Sequence, residues 1–215
     1  MSIGRLVLAL IAAAALVPAA PASASTTRTS TPPAELSAYY DSGQWGKDIR
    51  KVVKRATANL HKDLAKKPRR PAIVLDIDET ALFNAPCFEA VNWDLSGLAT
   101  CAVTGMGIPT PVRDLYRDAR RHRVTVAFIT GRPEALQGVT EQNLDAAGYA
   151  AGYLIFLRPA DDTQDTVVPF KSLARITLEG RGFRILANVG DQDSDLAGGH
   201  AKRRYKLPNP VYVTT

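Results

Sequence analysis

Asp76 and Asp78 stand one residue apart where a short apolar run, Ile73-Val74-Leu75, gives out. Two carboxylates so placed cannot both be buried bare, because an unpaired buried carboxylate is too costly to keep ionised. A divalent cation is the simplest partner, and Asp-x-Asp-x-Thr behind a strand also supplies a nucleophile with an acid/base beside it. Other apolar runs end in the same manner: Val124 to Ile129 in Thr130-Gly131-Arg132, and Phe183 to Val189 in Gly190-Asp191, with Asp195 following. Asp76, Asp78, Asp191 and Asp195 form a hard oxygen set suited to Mg2+. Thr130, the amide of Gly131 and Lys171 suit an anion with several oxygens. Metal, lysine and amide donors together are what phosphoryl transfer needs, since charge spreads over the equatorial oxygens of its transition state. Asp191, Asp193 and Asp195 also open like a calcium loop, but Leu196 and Lys202 occupy the positions where such a loop needs Gly and Glu.

These groups meet only if the fold aligns the strand ends. Asp48 to Lys66 has apolar residues at Ile49, Val52, Val53, Ala56, Leu60 and Leu64, a helical spacing closed by Pro68 and Pro71. Residues 81 to 108 are irregular, broken by Pro86, Gly97, Gly105 and Gly107. Beyond them helices and strands alternate. Pro111 to His122 reads as helix, Val124 to Ile129 as strand, Pro133 to Ala147 as helix and Tyr153 to Leu157 as strand. Phe170 to Leu178 and Phe183 to Val189 repeat the helix–strand pair. The alternation predicts an α/β fold: a three-layer, Rossmann-like parallel sheet with helices on both faces and a small insertion after the first strand. In such sheets ligands bind beyond the carboxyl ends of the strands, where strand order reverses. Asp76, Thr130 and Asp191 would then share one edge.

The first 24 residues read as a secretory signal peptide. Arg5 gives a positive start, Leu6 to Val17 is apolar but short for a membrane span, and Ala22-Ser23-Ala24 fits a small-x-small cleavage rule. Cleavage near Ser25 removes 24 of 215 residues and one Arg, so the net charge falls from +6 to +5. No stable membrane insertion is expected of the rest. Residues 25–37, rich in Ser, Thr, Pro and Ala, read as a flexible leader, and 38–215 as one domain. Basic residues cluster in Lys47 to Arg70, but aromatics are not interleaved with them, so nucleic acid is not an expected partner. Cys87 and Cys101 are the only cysteines, and export favours a bridge between them over two free thiols. The three histidines are scattered, so no zinc site is expected.

Asp76-Ile77-Asp78-Glu79-Thr80, Ile129-Thr130-Gly131-Arg132, Lys171 and Gly190-Asp191-Gln192-Asp193-Ser194-Asp195-Leu196 resemble the four motifs of the haloacid dehalogenase (HAD) superfamily. Leu82-Phe83-Asn84-Ala85-Pro86 and Lys206-Leu207-Pro208-Asn209-Pro210 are similar to its subfamily IIIB, secreted acid phosphatases that include the plant vegetative storage proteins. The resemblance covers residues 38 to 213. It implies a secreted Mg2+-dependent phosphatase for small phosphomonoesters. Asp76 would be the nucleophile that forms an aspartyl-phosphate, and Asp78 would protonate the leaving alcohol and then activate water. Thr130, Gly131 and Lys171 would bind phosphate. The metal would lie between Asp76, the Asp78 carbonyl and Asp191, with Asp195 ligating directly or through water. Arg132 and Phe88 are expected in the substrate pocket, under a cap of residues 81–110 that the cysteine bridge would stiffen. A phosphotransferase using the same intermediate and a non-catalytic storage protein are the alternatives. Asp193 stands where relatives carry a bulky aromatic, so it either joins the metal site or points to solvent.

Overall fold

The computed structural model describes residues 25–97, 100, 101, 104, 107–150 and 152–215. The signal-peptide reading of residues 1–24 lies outside them. In chain order the strands are β1 (Thr26–Arg28), β2 (Pro71–Leu75), β3 (Thr125–Pro133), β4 (Leu154–Arg158), β5 (Arg184–Gly190), β6 (Arg204–Lys206) and β7 (Tyr212–Thr214). The helices are α1 (Pro33–Asp41), α2 (Gln44–Leu64), α3 (Ala85–Ala90), α4 (Val112–Arg121), α5 (Gln137–Ala146), α6 (Val168–Gly180) and the single turn α7 (Asp193–Leu196).

β2 is the centre of a five-stranded sheet in the order β4-β3-β2-β5-β6, parallel throughout. Ala72 to Leu75 are buried, so the strand reads as an unbroken apolar run rather than an alternating one. Its side chains still divide by period two. Ile73 and Leu75 join α2 and α4 residues in the main core, whereas Val74 packs with Ala174 and Leu178 of α6 on the other face. The chain runs outward through β2, β3 and β4, then crosses under the sheet by α6 to reach β5 on the far side of β2. Strand order therefore reverses between β2 and β5, which is where this architecture opens a crevice.

The expected α/β architecture is present, with two differences in detail. The helix read over Pro133 to Ala147 begins only at Gln137, because β3 runs on until Pro133 pairs with Arg158. Residues 25–37, read as a flexible leader, contain β1 and the start of α1, and β1 pairs antiparallel with β7. β1 itself buries no side chain and is held by backbone hydrogen bonds, which composition does not reveal, whereas Leu36 at the start of α1 is fully buried. Leu36, Phe88, Trp93 and Val211 form a second small core between α1, the insertion and the C-terminal tail. A disulfide joins Cys87 to Cys101 beside it, with Cα atoms 5.6 Å apart. Gly107 ends the insertion at φ +57°, where a Cβ would come within 2.6 Å of Ala146 Cβ.

Asp63, in the last turn of α2, is 2% exposed and accepts hydrogen bonds from Lys202 and Arg203 ahead of β6. Burial opposes its ionisation, but the two cations outweigh burial and hold its carboxyl below the usual range. An acid whose folded pKa is depressed stabilises the fold above its unfolded pKa and loses that contribution as pH falls through the folded value. Asp63→Asn is expected to lower stability by about 1–2 kcal/mol at neutral pH. In urea melts the gap from wild type should close as pH drops below about 4, and a gap constant with pH would contradict the ion-pair account.

Candidate active site

The amide of Asp76 donates to the Val189 carbonyl at 3.0 Å, extending the β2–β5 ladder one residue beyond the strand. Leu75 is in register with Phe128 and Val189, so Asp76, Thr130 and Asp191 leave the sheet at nearly the same level. Lys171 rises from the first turn of α6 and is buried. Its Nζ donates to Asp76 Oδ1 at 2.7 Å and to Asp195 Oδ1 at 2.5 Å. Asp76, Asp191 and Asp195, all buried, each offer one carboxylate oxygen within 4.8 Å of the others. Three of the four acidic residues expected from the sequence thus converge. The side chain of Asp78 lies outside the group.

Charge in this cluster does not balance. Among the described residues, Lys171 is the one cation bonded to its carboxylate oxygens, against three carboxylates. Burial first, and then repulsion from Asp195, push Asp76 well above the usual carboxylate range, opposed by Lys171. Burial and repulsion from Asp195 and Glu79 likewise push Asp191 up to about 7. Burial disfavours the Lys171 ammonium, but Asp195 and Asp76 outweigh that and raise its pKa. A hard divalent cation would supply the missing charge, and the donor set of carboxylate oxygens fits such an ion.

The two downstream aspartates are fixed by residues that sequence reasoning did not assign. Asp191 Oδ1 accepts from Thr80 Oγ1 at 3.0 Å; its Oδ2 accepts from Gln192 Nε2 at 2.5 Å and Asn209 Nδ2 at 2.8 Å. Asp195 Oδ2 accepts the Gln192 amide at 2.8 Å, and its carbonyl accepts from Asn188 and from Arg175, each at 2.9 Å. Arg175 is fully buried and also caps the carbonyls of Ala197 and Gly199. Asn209 lies in the Lys206 to Pro210 segment, so the resemblance pointed to it; Arg175 left no signal beyond an arginine on the apolar side of α6.

Asp78 faces Arg132, which donates through Nε at 2.9 Å and an Nη at 2.7 Å, while Asn84 adds a third bond at 2.9 Å. Burial opposes ionisation of Asp78, yet Arg132 and Asn84 together hold it below the usual range. Arg132 is braced by Thr140 at 3.3 Å, and its amide donates to Thr130 Oγ1 at 3.2 Å. Thr130 is buried, and Gly131 follows it at the end of β3. Glu79, fully buried at φ +54°, accepts from Tyr212 and from the Asn84 amide. Burial and Asp78 push it up to about 8. Phe88, expected in the substrate pocket, is instead 0% exposed and packs edge-on against Tyr212. Its ring is core because α3 turns its apolar side onto the C-terminal tail. Asp193 points to solvent and pairs with Lys206 at 3.1 Å, so it adds no charge to the cluster.

The HAD superfamily, subfamily IIIB (acid phosphatase), matches residues 11–215 of the chain. Acid phosphatase 1 of Solanum lycopersicum is 33% identical over 157 residues, 66% of this chain and 59% of that protein. The stem 28 kDa glycoprotein of Glycine max is 29% identical over 188 residues, 83% of this chain and 73% of its own length. Vegetative storage protein 1 of Arabidopsis thaliana is 28% identical over 195 residues, covering 85% and 72% of the two chains. Among solved structures, the class C acid phosphatase from Bacillus anthracis superposes with a TM-score of 0.67 at 19% identity, over 84% of this chain and 85% of that one.

A Cβ on Gly190 would lie 2.3 Å from Asp195 Oδ2 and 2.4 Å from Asp195 Cβ. Only hydrogen fits there, so Gly190→Ala must push Asp195 away from Lys171 and Asp191. The variant is expected to stay folded at a cost of about 1–3 kcal/mol and to bind Mg2+ at least about tenfold more weakly, as read by calorimetry. Wild-type affinity in that variant would mean that Asp195 is not needed where it stands.

Proposed function

The chain belongs to the acid phosphatases of HAD superfamily subfamily IIIB, and from that premise we propose that it is an exported, Mg2+-dependent phosphatase for small phosphomonoesters. The observation that carries this reading is the contact of Asp76 with Lys171 inside the buried group of Asp191 and Asp195. A carboxylate at the carboxyl end of the central strand, beside one lysine and two further acids, can attack phosphorus while its surroundings neutralise the phosphate.

Asp76 attacks, so a bond forms between its carboxylate oxygen and phosphorus as the ester oxygen leaves. Asp78 gives that oxygen a proton and so releases the alcohol. Water then attacks the aspartyl-phosphate; its proton passes to Asp78, phosphate departs and Asp76 is restored. Lys171 and Thr130 hold the non-bridging oxygens. Asp76, Asp191 and Asp195 would hold Mg2+, which would supply positive charge between the nucleophile and the phosphate. Arg132 keeps Asp78 aimed and ionised for the water step, and an incoming phosphate oxygen competes for the same guanidinium.

Export is supported by the apolar start with its Ala22-Ser23-Ala24 site and by the Cys87–Cys101 bridge, which persists in oxidising compartments. None of the described helices is long and apolar enough to cross a membrane. Storage is a second reading, favoured by the storage proteins among the relatives; the retained Asp76 and its supporting groups weigh against it.

Asp76→Asn should retain the wild-type fold and lose hydrolysis of a generic aryl phosphate by at least about a thousandfold. Dialysis against EDTA should abolish activity and added Mg2+ restore it. Full hydrolysis by Asp76→Asn would remove the nucleophile, and activity without metal would remove the Mg2+ assignment. Arg132→Met takes away the charge that depresses Asp78, so the Asp78 pKa rises. Aspartyl-phosphate formation, which needs protonated Asp78, should then extend to higher pH in rapid-quench measurements. An unshifted profile would place the acid elsewhere.

A further inference from the structure

At the opposite end of the sheet lies a second group of ligating side chains. α2 and α4 precede the neighbouring parallel strands β2 and β3, and their C-terminal ends meet below the start of those strands. His61 lies in the last turn of α2, Asp118 one turn before the end of α4, and His122 just past it. The two imidazoles sit side by side with ring centres 4.8 Å apart. Each of the three residues offers a ligand atom, and these atoms lie within 4.8 Å of one another. We propose that His61, Asp118 and His122 form a surface site for a borderline divalent transition ion, of which Zn2+ is the representative.

Four observations carry this. The Nε2–H of His61 donates to Asp118 Oδ2 at 2.7 Å, a spacing at which an ion can replace the proton and be held by both atoms. Arg121 already neutralises the other oxygen, Asp118 Oδ1, at 3.0 Å. The imidazoles are therefore not needed as counter-charges to that carboxylate. The Asp118 side chain is 9% exposed whereas His61 and His122 are 48% and 45% exposed, so the group has a fixed carboxylate floor and an open side for water ligands. Last, the negative ends of two helix dipoles converge there, which favours a cation. Two imidazoles with one carboxylate select Zn2+, Cu2+ or Ni2+ over the Mg2+ that the all-oxygen site at the other edge takes. The histidines are scattered in sequence, so only the fold brings them together. An ion here would pin the ends of α2 and α4 to each other.

The test is calorimetric titration of Zn2+ into untagged protein in excess Mg2+, alongside thermal melts with and without Zn2+. Wild type should show a binding event and a rise in Tm. His61→Ala should weaken that event by more than about tenfold, and His61→Ala/His122→Ala should abolish both event and Tm rise while aryl-phosphate hydrolysis is unchanged. Asp191→Asn should leave the event intact. No Zn2+ event in wild type, or one that survives the double histidine variant and vanishes with Asp191→Asn, overturns the proposal; the latter would assign the ion to the acidic cluster.

Discussion

Surplus negative charge, held out of water, is the constraint around which the molecule is arranged. Asp76, Asp191 and Asp195 lie within reach of one ion, and among the described residues Lys171 is the one cation bonded to their carboxylates. Such a cluster opposes folding unless something cationic shares it, because each carboxylate resists ionisation under the others' field. A bound divalent cation would relieve the imbalance. Lys171 grips one Asp76 oxygen, Oδ1, which leaves the other for the proposed attack.

The supports of the cluster obey the same logic. Thr80, Gln192 and Asn209 fix Asp191 through neutral donors. Asn188 holds the Asp195 backbone, and Arg175 spends its charge on carbonyls, not on the carboxylates. Orientation is thereby fixed without the charge being cancelled, which keeps affinity for a cation high. Arg132 does the opposite for Asp78. It pairs with that carboxylate directly, so Asp78 titrates in a different regime from Asp76 two residues earlier. The attacking and proton-moving roles proposed for these neighbouring acids correspond to which cation each one faces.

Much of this was legible in the sequence where the signal was local. Ile73 to Leu75 announced a buried strand, and the polar residues closing it and two later strands announced one shared edge. Asp76, Lys171, Asp191 and Asp195 meet as that pattern implied. What could not be read depends on contacts between distant segments. The resemblance implies a pocket position for Phe88, yet its ring lies in a core with Trp93 and with Leu36, Val211 and Tyr212, which come from distant segments. Arg175 shares the buried Ala174–Leu178 side of its helix, and only the loop at 195–199 gives its guanidinium partners. β1 has a composition unsuited to burial, and pairs by its backbone instead.

That last strand matters to the chemistry despite lying far from it in sequence. The C-terminal tail reaches the site through Asn209 to Asp191, Tyr212 to Glu79, the Thr214 amide to the side chain of Gln192, and the Tyr212 and Thr214 carbonyls, which accept from Gln192 and Ser194. A free chain end would make those contacts only part of the time, since fixing each residue costs about 1–2 kcal/mol of backbone entropy. β1 pairs with Tyr212–Thr214 in a two-stranded sheet and, with Thr29 bonded to the Pro210 carbonyl, fastens the tail along its length. The segment next to the proposed cleavage point thus holds the tail that holds Asp191. Removal of residues 25–29 should loosen the metal ligand without touching a catalytic group, because the order of the site is distributed through backbone pairing as well as through charge.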